Sequence, residues 1–174
     1  LNPKMREQFA VRIDQFNVIA EWYHAAILEM TYLDIPLTPE IISEHLTITV
    51  TQAKEALDLL SRLELIETVS PDRFAKTKNQ ITFESEISNQ ALRRYHHDML
   101  AKAQTSLQTQ TNKQKFVGSE TIPLNIEDLQ EAKDILEACF QQILQLSERS
   151  KNRTHVYHLG IQLFQLTKGL RDDK

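Results

Sequence analysis

Glycine and cysteine are scarce in this chain, which has three glycines and one cysteine among 174 residues. So few glycines leave little room for phosphate-cradling loops or a nucleophile-elbow turn, and no motif of either kind occurs. The single cysteine, Cys139, has no internal disulfide partner, which indicates a reducing compartment, and we expect the cytoplasm. Because Cys139 falls on the apolar stripe of a predicted helix, we expect a core residue rather than a nucleophile.

Long apolar runs are also missing. No segment approaches the roughly 18 apolar residues of a membrane span, and no secretory leader is present, so we expect a soluble protein without a membrane partner. The chain begins at Leu1 rather than Met, inside sequence that looks structured. We therefore expect that a further N-terminal portion of the protein precedes it.

The six histidines do not form a predicted metal site. His96 and His97 are adjacent and point about 100° apart on a helix, so they cannot share one ion. His155 and His158 fall on opposite faces of a predicted strand. With no catalytic motif either, the sequence predicts a protein that is not an enzyme and has no catalytic residues, metal or cofactor.

The first half of the sequence predicts three helices followed by a hairpin. Thr38-Pro39 is a helix start signal, and Thr49 with Gln52 fits a capping box. A turn at 70–73 separates two short extended runs. The predicted helices span about 14–31, 40–46 and 50–63. This order is typical of a winged helix-turn-helix, although Glu64 stands where such a helix usually passes into the wing through glycine, and a positive φ there would cost on the order of 1 kcal/mol.

The second half predicts a long helix over about 84–108, a polar boundary, and then a strand, a helix and a strand. The last three elements are predicted at 118–124, 126–148 and 153–167, with Asn125 capping the helix. The fold class is therefore α+β and mostly helical. The predicted domains are a winged-helix-like domain over 1–84, a connecting helix and loop over 85–112, and a strand-helix-strand assembly domain over 113–174.

Four groups of residues resemble a family of uncharacterised bacterial proteins along nearly the whole chain. They are Trp22-Tyr23-His24-x-x-Ile27, Glu55-Ala56-Leu57-Asp58-Leu59-Leu60, Ala91-Leu92-Arg93-Arg94-Tyr95-His96-x-x-Met99-Leu100 and Val156-Tyr157-x-Leu159-x-Ile161-Gln162-Leu163-Phe164. That family has a C-terminal domain of unknown function, which this chain resembles, behind an N-terminal helix-turn-helix-like region. Its members are usually described as transcriptional regulators. The resemblance implies a regulatory role and an N-terminal DNA reader preceding this chain.

One hypothesis is that the chain itself contacts double-stranded DNA as part of a transcriptional regulator. Residues 1–84 carry eight Lys and Arg against thirteen Asp and Glu, a net charge of −5, whereas residues 88–117 carry five against one, a net charge of +4. A local basic stretch can steer a polyanion, but it is equally consistent with a solvated helix face. The candidate DNA-binding residues are Thr51, Gln52, Lys54, Arg62, Arg73, Lys76, Lys78, Arg93 and Arg94.

The alternative hypothesis is a dimerisation or protein-partner-binding module with no direct DNA contact. Two predicted C-terminal strands cannot form a stable sheet alone, so we expect a homodimer whose C-terminal halves complete one sheet or pack their helices across a twofold axis. The candidate interface residues are Leu136, Ile143, Tyr157, Ile161, Leu163 and Phe164.

Overall fold

The computed structural model of the protein describes Val18, residues 20–79 and residues 85–168, with the backbone alone for 85–89. The fold is α+β and mostly helical, as predicted. Its elements are α1 (Trp22–Met30), α2 (Pro39–Leu46), α3 (Val50–Arg62), β1 (Ile66–Ser70), β2 (Arg73–Lys76), α4 (Ser85–Thr109), a 3-10 turn (Ile126–Asp128) and α5 (Leu129–Arg149). The chain forms two compact units, one of residues 1–118 with 151–156 and one of 119–150 with 157–174.

Helix α1 is shorter than predicted. Residues 14–17 and 19 lie outside the described residues, and Val18 and Ala20 are helical. Glu21, however, has an extended backbone (φ −89°, ψ 109°), so a separate helix begins at Trp22. Glu21 thereby becomes the N-cap of α1, although its side chain makes no capping hydrogen bond. The predicted apolar face is confirmed at Ile27 and Met30, which are buried.

Helices α2 and α3 begin at the predicted signals. The Thr38 hydroxyl accepts a hydrogen bond from Ile41 N at 3.3 Å, with Pro39 in the first turn. Thr49 and Gln52 form the predicted capping box, which satisfies two backbone N–H groups that lack partners within the helix. Between these helices, Thr47 adopts a left-handed φ of 55°.

The predicted hairpin forms, and it is antiparallel, with Ile66 opposite Lys76. At the entrance to the hairpin, Glu64 has a φ of 55°, the backbone conformation that is costly for a residue other than glycine. The Glu64 carbonyl oxygen accepts hydrogen bonds from the Thr77 hydroxyl at 2.6 Å and from Asn79 Nδ2 at 3.2 Å. These two hydrogen bonds hold the strained backbone in place without glycine.

The core of the first unit lies between α1, α2, α3 and the start of β1. Ile27, Ile42 and Leu60 are fully buried within it. The other members of this cluster are Val18, Tyr23, Met30, Leu37, Ala53, Ala56, Leu57, Leu59, Leu65 and Ile66. Alternating three- and four-residue spacing along α3 places its apolar residues on one face, so the opposite face remains available to solvent.

Helix α4 confirms its predicted span but buries less than expected. Ala91 is buried, whereas Leu92, Ala103 and Leu107 are exposed although their spacing predicted an inward face. At 25 residues α4 is far longer than α1, the nine-residue helix that it contacts. Much of the length of α4 therefore has no part of α1 to pack against.

The two strands predicted for the second half of the chain do not form. Residues 118–124 and 153–167 form no strand, and Asn125 makes no capping hydrogen bond before the 3-10 turn. A strand needs a hydrogen-bonded neighbour, and the hairpin turn supplies one for 66–76 but nothing comparable joins these two segments. Only the helix of this unit, α5, agrees with its predicted span.

Candidate functional site

The exposed face of α3 is the surface that a DNA-reading helix would present. Thr51, Lys54 and Arg62 lie on it and are exposed, but Gln52 is half-buried and already engaged. Its Oε1 accepts hydrogen bonds from Thr49 N at 2.9 Å and from the Thr49 hydroxyl at 3.1 Å. The capping box that starts α3 thus already uses the side chain of one candidate DNA-binding residue.

Carboxylates interrupt the positive charge of this face. Glu55 and Asp58 are exposed between Lys54 and Arg62. Both acids also line a cavity of about 450 Å³ beside the start of α1. Its lining residues are Glu21, Tyr23, His24, Glu55, Ala56, Asp58, Leu59 and Arg62. Because three carboxylates and one guanidinium line this cavity, its charge would repel a phosphate group.

Tyr23 lines this cavity, and its surroundings raise the pKa of its hydroxyl. Burial raises the pKa of its hydroxyl, the nearby Glu21 and Glu55 carboxylates raise it further, and Arg94 opposes them. The ring lies edge-on to Trp22 with centroids 5.9 Å apart and tilted against His24 at 4.7 Å. The neutral phenol is therefore favoured, and Tyr23 acts as a packed wall of the cavity.

The hairpin cations lie beside acids of the first unit. Arg73 Nη1 is 2.8 Å from Asp34 Oδ1, and Lys76 Nζ is 2.7 Å from Glu29 Oε1. Lys78 is exposed and forms no ion pair within the described part of the chain. Two of the three hairpin cations among the candidate DNA-binding residues are thus used to attach the hairpin to α1 and to the loop that follows it.

Acidic residues also pair with some, but not all, of the basic residues of α4. Arg94 pairs with the Glu21 carboxylate, whereas Arg93 is exposed. Just over two helical turns beyond Arg94, Lys102 places its Nζ 3.4 Å from the centroid of the Trp22 ring, and burial lowers the pKa of this amine. These contacts hold α4 against α1.

Sequence reasoning missed the acids that neutralise these cations. Glu21, Glu29 and Asp34 were counted only within the net charge of the first 84 residues. The acidic balance of that segment was a signal that they were available, but partners 39 and 47 residues apart in sequence are identified only by the fold.

The candidate interface residues lie in the second unit and in the segment that follows α5. Leu136 and Ile161 are half-buried, and Ile143, Tyr157, Leu163 and Phe164 are exposed. No residue of α5 is buried along its 21-residue length. The core position predicted for Cys139 is wrong, because the thiol is exposed and no described residue of this unit buries the stripe on which it lies.

Among the described residues, no group of three His, Cys, Asp or Glu side chains is arranged to hold a metal ion. None of their helices is both long and apolar enough to cross a bilayer.

Comparison with protein families supplies one match. The model of a family described as a domain of unknown function, DUF4423, matches residues 2–166, which is nearly the whole chain. The chain belongs to the DUF4423 family. Comparisons with curated proteins and with solved structures gave no match. This match agrees with the domain of unknown function that the sequence resembles.

Proposed function

We propose that this DUF4423 chain is the assembly and partner-binding part of a regulatory protein, that it forms a homodimer, and that it makes no direct DNA contact through α3. The observation that carries the proposal is the surface of α5. This helix has an apolar stripe typical of a packed element, yet none of its residues is buried.

Several large apolar side chains of α5 are exposed to solvent. Ile135 is 63% exposed, Ile143 45% and Leu146 57%. Removing apolar surface from water stabilises a complex by about 25 cal/mol per Å², and contiguous apolar patches on soluble proteins commonly mark interaction sites. A helix with such a stripe is expected to find a partner surface.

Electrostatics argue against α3 and the hairpin as a DNA interface. Phosphate contacts supply much of the affinity of most DNA-binding proteins. Here Arg73 and Lys76 are paired with acids, and Glu55 and Asp58 lie on the face that would enter the groove. The winged-helix-like order of helices and hairpin is also compatible with a protein-contact scaffold.

DNA binding is a second candidate function, because the order of three helices and a hairpin is also that of DNA-binding winged helices. Three helices followed by a hairpin would place α3 in a major groove and the hairpin at phosphates. Lys54, Lys78 and Arg93 are exposed and are the cations best able to reach a duplex. In this case the chain would be part of a transcriptional regulator that reads DNA directly.

Light scattering on the chain at micromolar concentrations tests the proposal. We expect a dimer, and we expect Ile143→Asp to shift it to monomer, because a charge in an apolar interface is costly. Gln141→Asp is the matched control, since it adds the same charge to the same exposed helix on the opposite side from Ile143. Circular dichroism verifies that both variants keep their helices.

A duplex-DNA titration at two salt concentrations separates the two functions. We expect weak binding that the hairpin cations do not control. A monomeric wild-type chain would contradict assembly, and tight binding with a steep salt dependence would favour the DNA-reading candidate.

A further inference from the structure

We propose that α5 packs antiparallel against α5 of a second copy, in one defined register. Leu129 lies opposite Leu146 of the partner subunit, Ala132 opposite Ile143 of the partner subunit, and Leu136 opposite Cys139 of the partner subunit. This inference rests on the homodimer proposed above and identifies its interface.

The spacing of the stripe selects this register. Leu129, Ala132, Leu136, Cys139, Ile143 and Leu146 follow alternating steps of three and four residues, the pattern of a two-helix seam. The stripe is symmetric about a point between residues 137 and 138. An antiparallel pair centred there places all six residues in apolar layers, each layer type occurring twice.

Neighbouring registers bury fewer apolar residues. Opposing Cys139 with Ile143 of the partner subunit, the next possible layer, would leave Leu129 opposite Arg153 and Ala132 opposite Ser150. The favoured register also opposes Ala132, the smallest side chain of the stripe, to the branched Ile143. Pairing small with large residues fills a helix interface evenly.

Charge distinguishes antiparallel from parallel packing. The start of α5 and the turn before it carry Glu127, Asp128 and Glu131, whereas its end carries Glu148 and Arg149, with Lys151 two residues beyond. An antiparallel pair brings Asp128 near Arg149 of the partner subunit, twice by symmetry. A parallel pair would place the acidic starts together and align the two helix dipoles unfavourably.

The structure also favours a helix pair over a shared sheet. Sheet completion was the other arrangement expected for the homodimer, and it required strands at 118–124 and 153–167. Neither segment is a strand in the described chain. By contrast, α5 is a continuous helix whose stripe has no buried residue: Leu129, Ala132 and Leu136 are half-buried, and Cys139, Ile143 and Leu146 are exposed. A second copy of α5 is the occupant that matches the stripe in both spacing and charge.

Cysteine cross-linking of the whole chain tests the register. Two variants are made in a Cys139→Ser background, one with Leu129→Cys and one with Leu146→Cys. A short bismaleimide should cross-link the mixture into a heterodimer and leave each variant alone uncross-linked, because identical positions lie at opposite ends of the pair. Gln141→Cys in the same background replaces Leu146→Cys in the control mixture and should not react across the interface.

Two outcomes would overturn the antiparallel register alone, and a third would also overturn the homodimer. Cross-linking of the Leu146→Cys variant with itself would show a parallel pair and overturn this inference while leaving the homodimer intact. A dimer by light scattering with no cross-link in any combination would likewise overturn it and place the interface elsewhere. A monomeric wild-type chain, with no cross-linking at native Cys139, would overturn the proposed function as well.

Discussion

Lys76 of the hairpin places its Nζ 2.7 Å from Glu29 Oε1 of α1. The two residues are 47 positions apart in sequence, so the ion pair exists only because β2 packs beside α1. Both side chains are partly exposed, and such a surface pair contributes at most about 1 kcal/mol. Its larger consequence is electrostatic, because a cation expected to meet phosphate already faces a carboxylate.

Reversing the hairpin charges should leave DNA binding unchanged. We expect Arg73→Glu, Lys76→Glu and Lys78→Glu together to alter neither the affinity for duplex DNA nor its salt dependence, measured by fluorescence anisotropy at two salt concentrations. Lys78→Glu alone is the control that breaks no ion pair within the described residues. Uniformly weaker binding with a flatter salt dependence would place the hairpin at the phosphates.

Glycine at Thr47 or Glu64, two residues with a left-handed backbone, should stabilise the fold. Thr47 and Glu64 both have a φ of 55°, where a side chain costs on the order of 1 kcal/mol. We expect Thr47→Gly and Glu64→Gly each to raise the free energy of unfolding by up to about 1 kcal/mol in urea. Glu44→Gly, in the middle of α2, should lower it by about the same amount, and a loss of stability at all three positions would contradict the argument.

Ionisation of the Tyr23 hydroxyl should destabilise the fold at alkaline pH. Because its pKa is raised in the folded state, the stability it contributes is present below its unfolded pKa of about 10 and is lost as the pH rises through the folded value. Tyr23→Phe should therefore flatten the fall in unfolding free energy above about pH 10. Tyr95→Phe is the comparison, since burial raises that pKa too, and an unchanged profile for Tyr23→Phe would exclude its role.

The centre of the first unit should be sensitive to truncation. Leu60 is fully buried in the cluster formed by α1, α2 and α3. We expect Leu60→Ala to lower the free energy of unfolding by about 2 to 5 kcal/mol, because it removes apolar contacts and leaves a cavity. Leu92→Ala on the exposed side of α4 should cost much less in the same urea titration, and equal losses would argue against this core.

Local signals predicted the first unit well. The caps at Thr38 and Thr49 and the hairpin turn all depend on residues close in sequence. The break at Glu21 was not predicted, because apolar spacing continues through it from Phe16 to Met30. The two C-terminal strands were predicted from alternation alone, which does not show whether a strand has a partner.

The sequence by itself determined where helices α2 and α3 begin and which residues of α2, α3 and α5 are apolar, because caps and periodicity act within one or two turns. Only the tertiary structure decided which charges remain available. Asp34 and Glu29 reach Arg73 and Lys76 across the fold, and Glu21 reaches Arg94. The physical reason is that ion pairing depends on distance in space, which chain packing sets and residue order does not reveal.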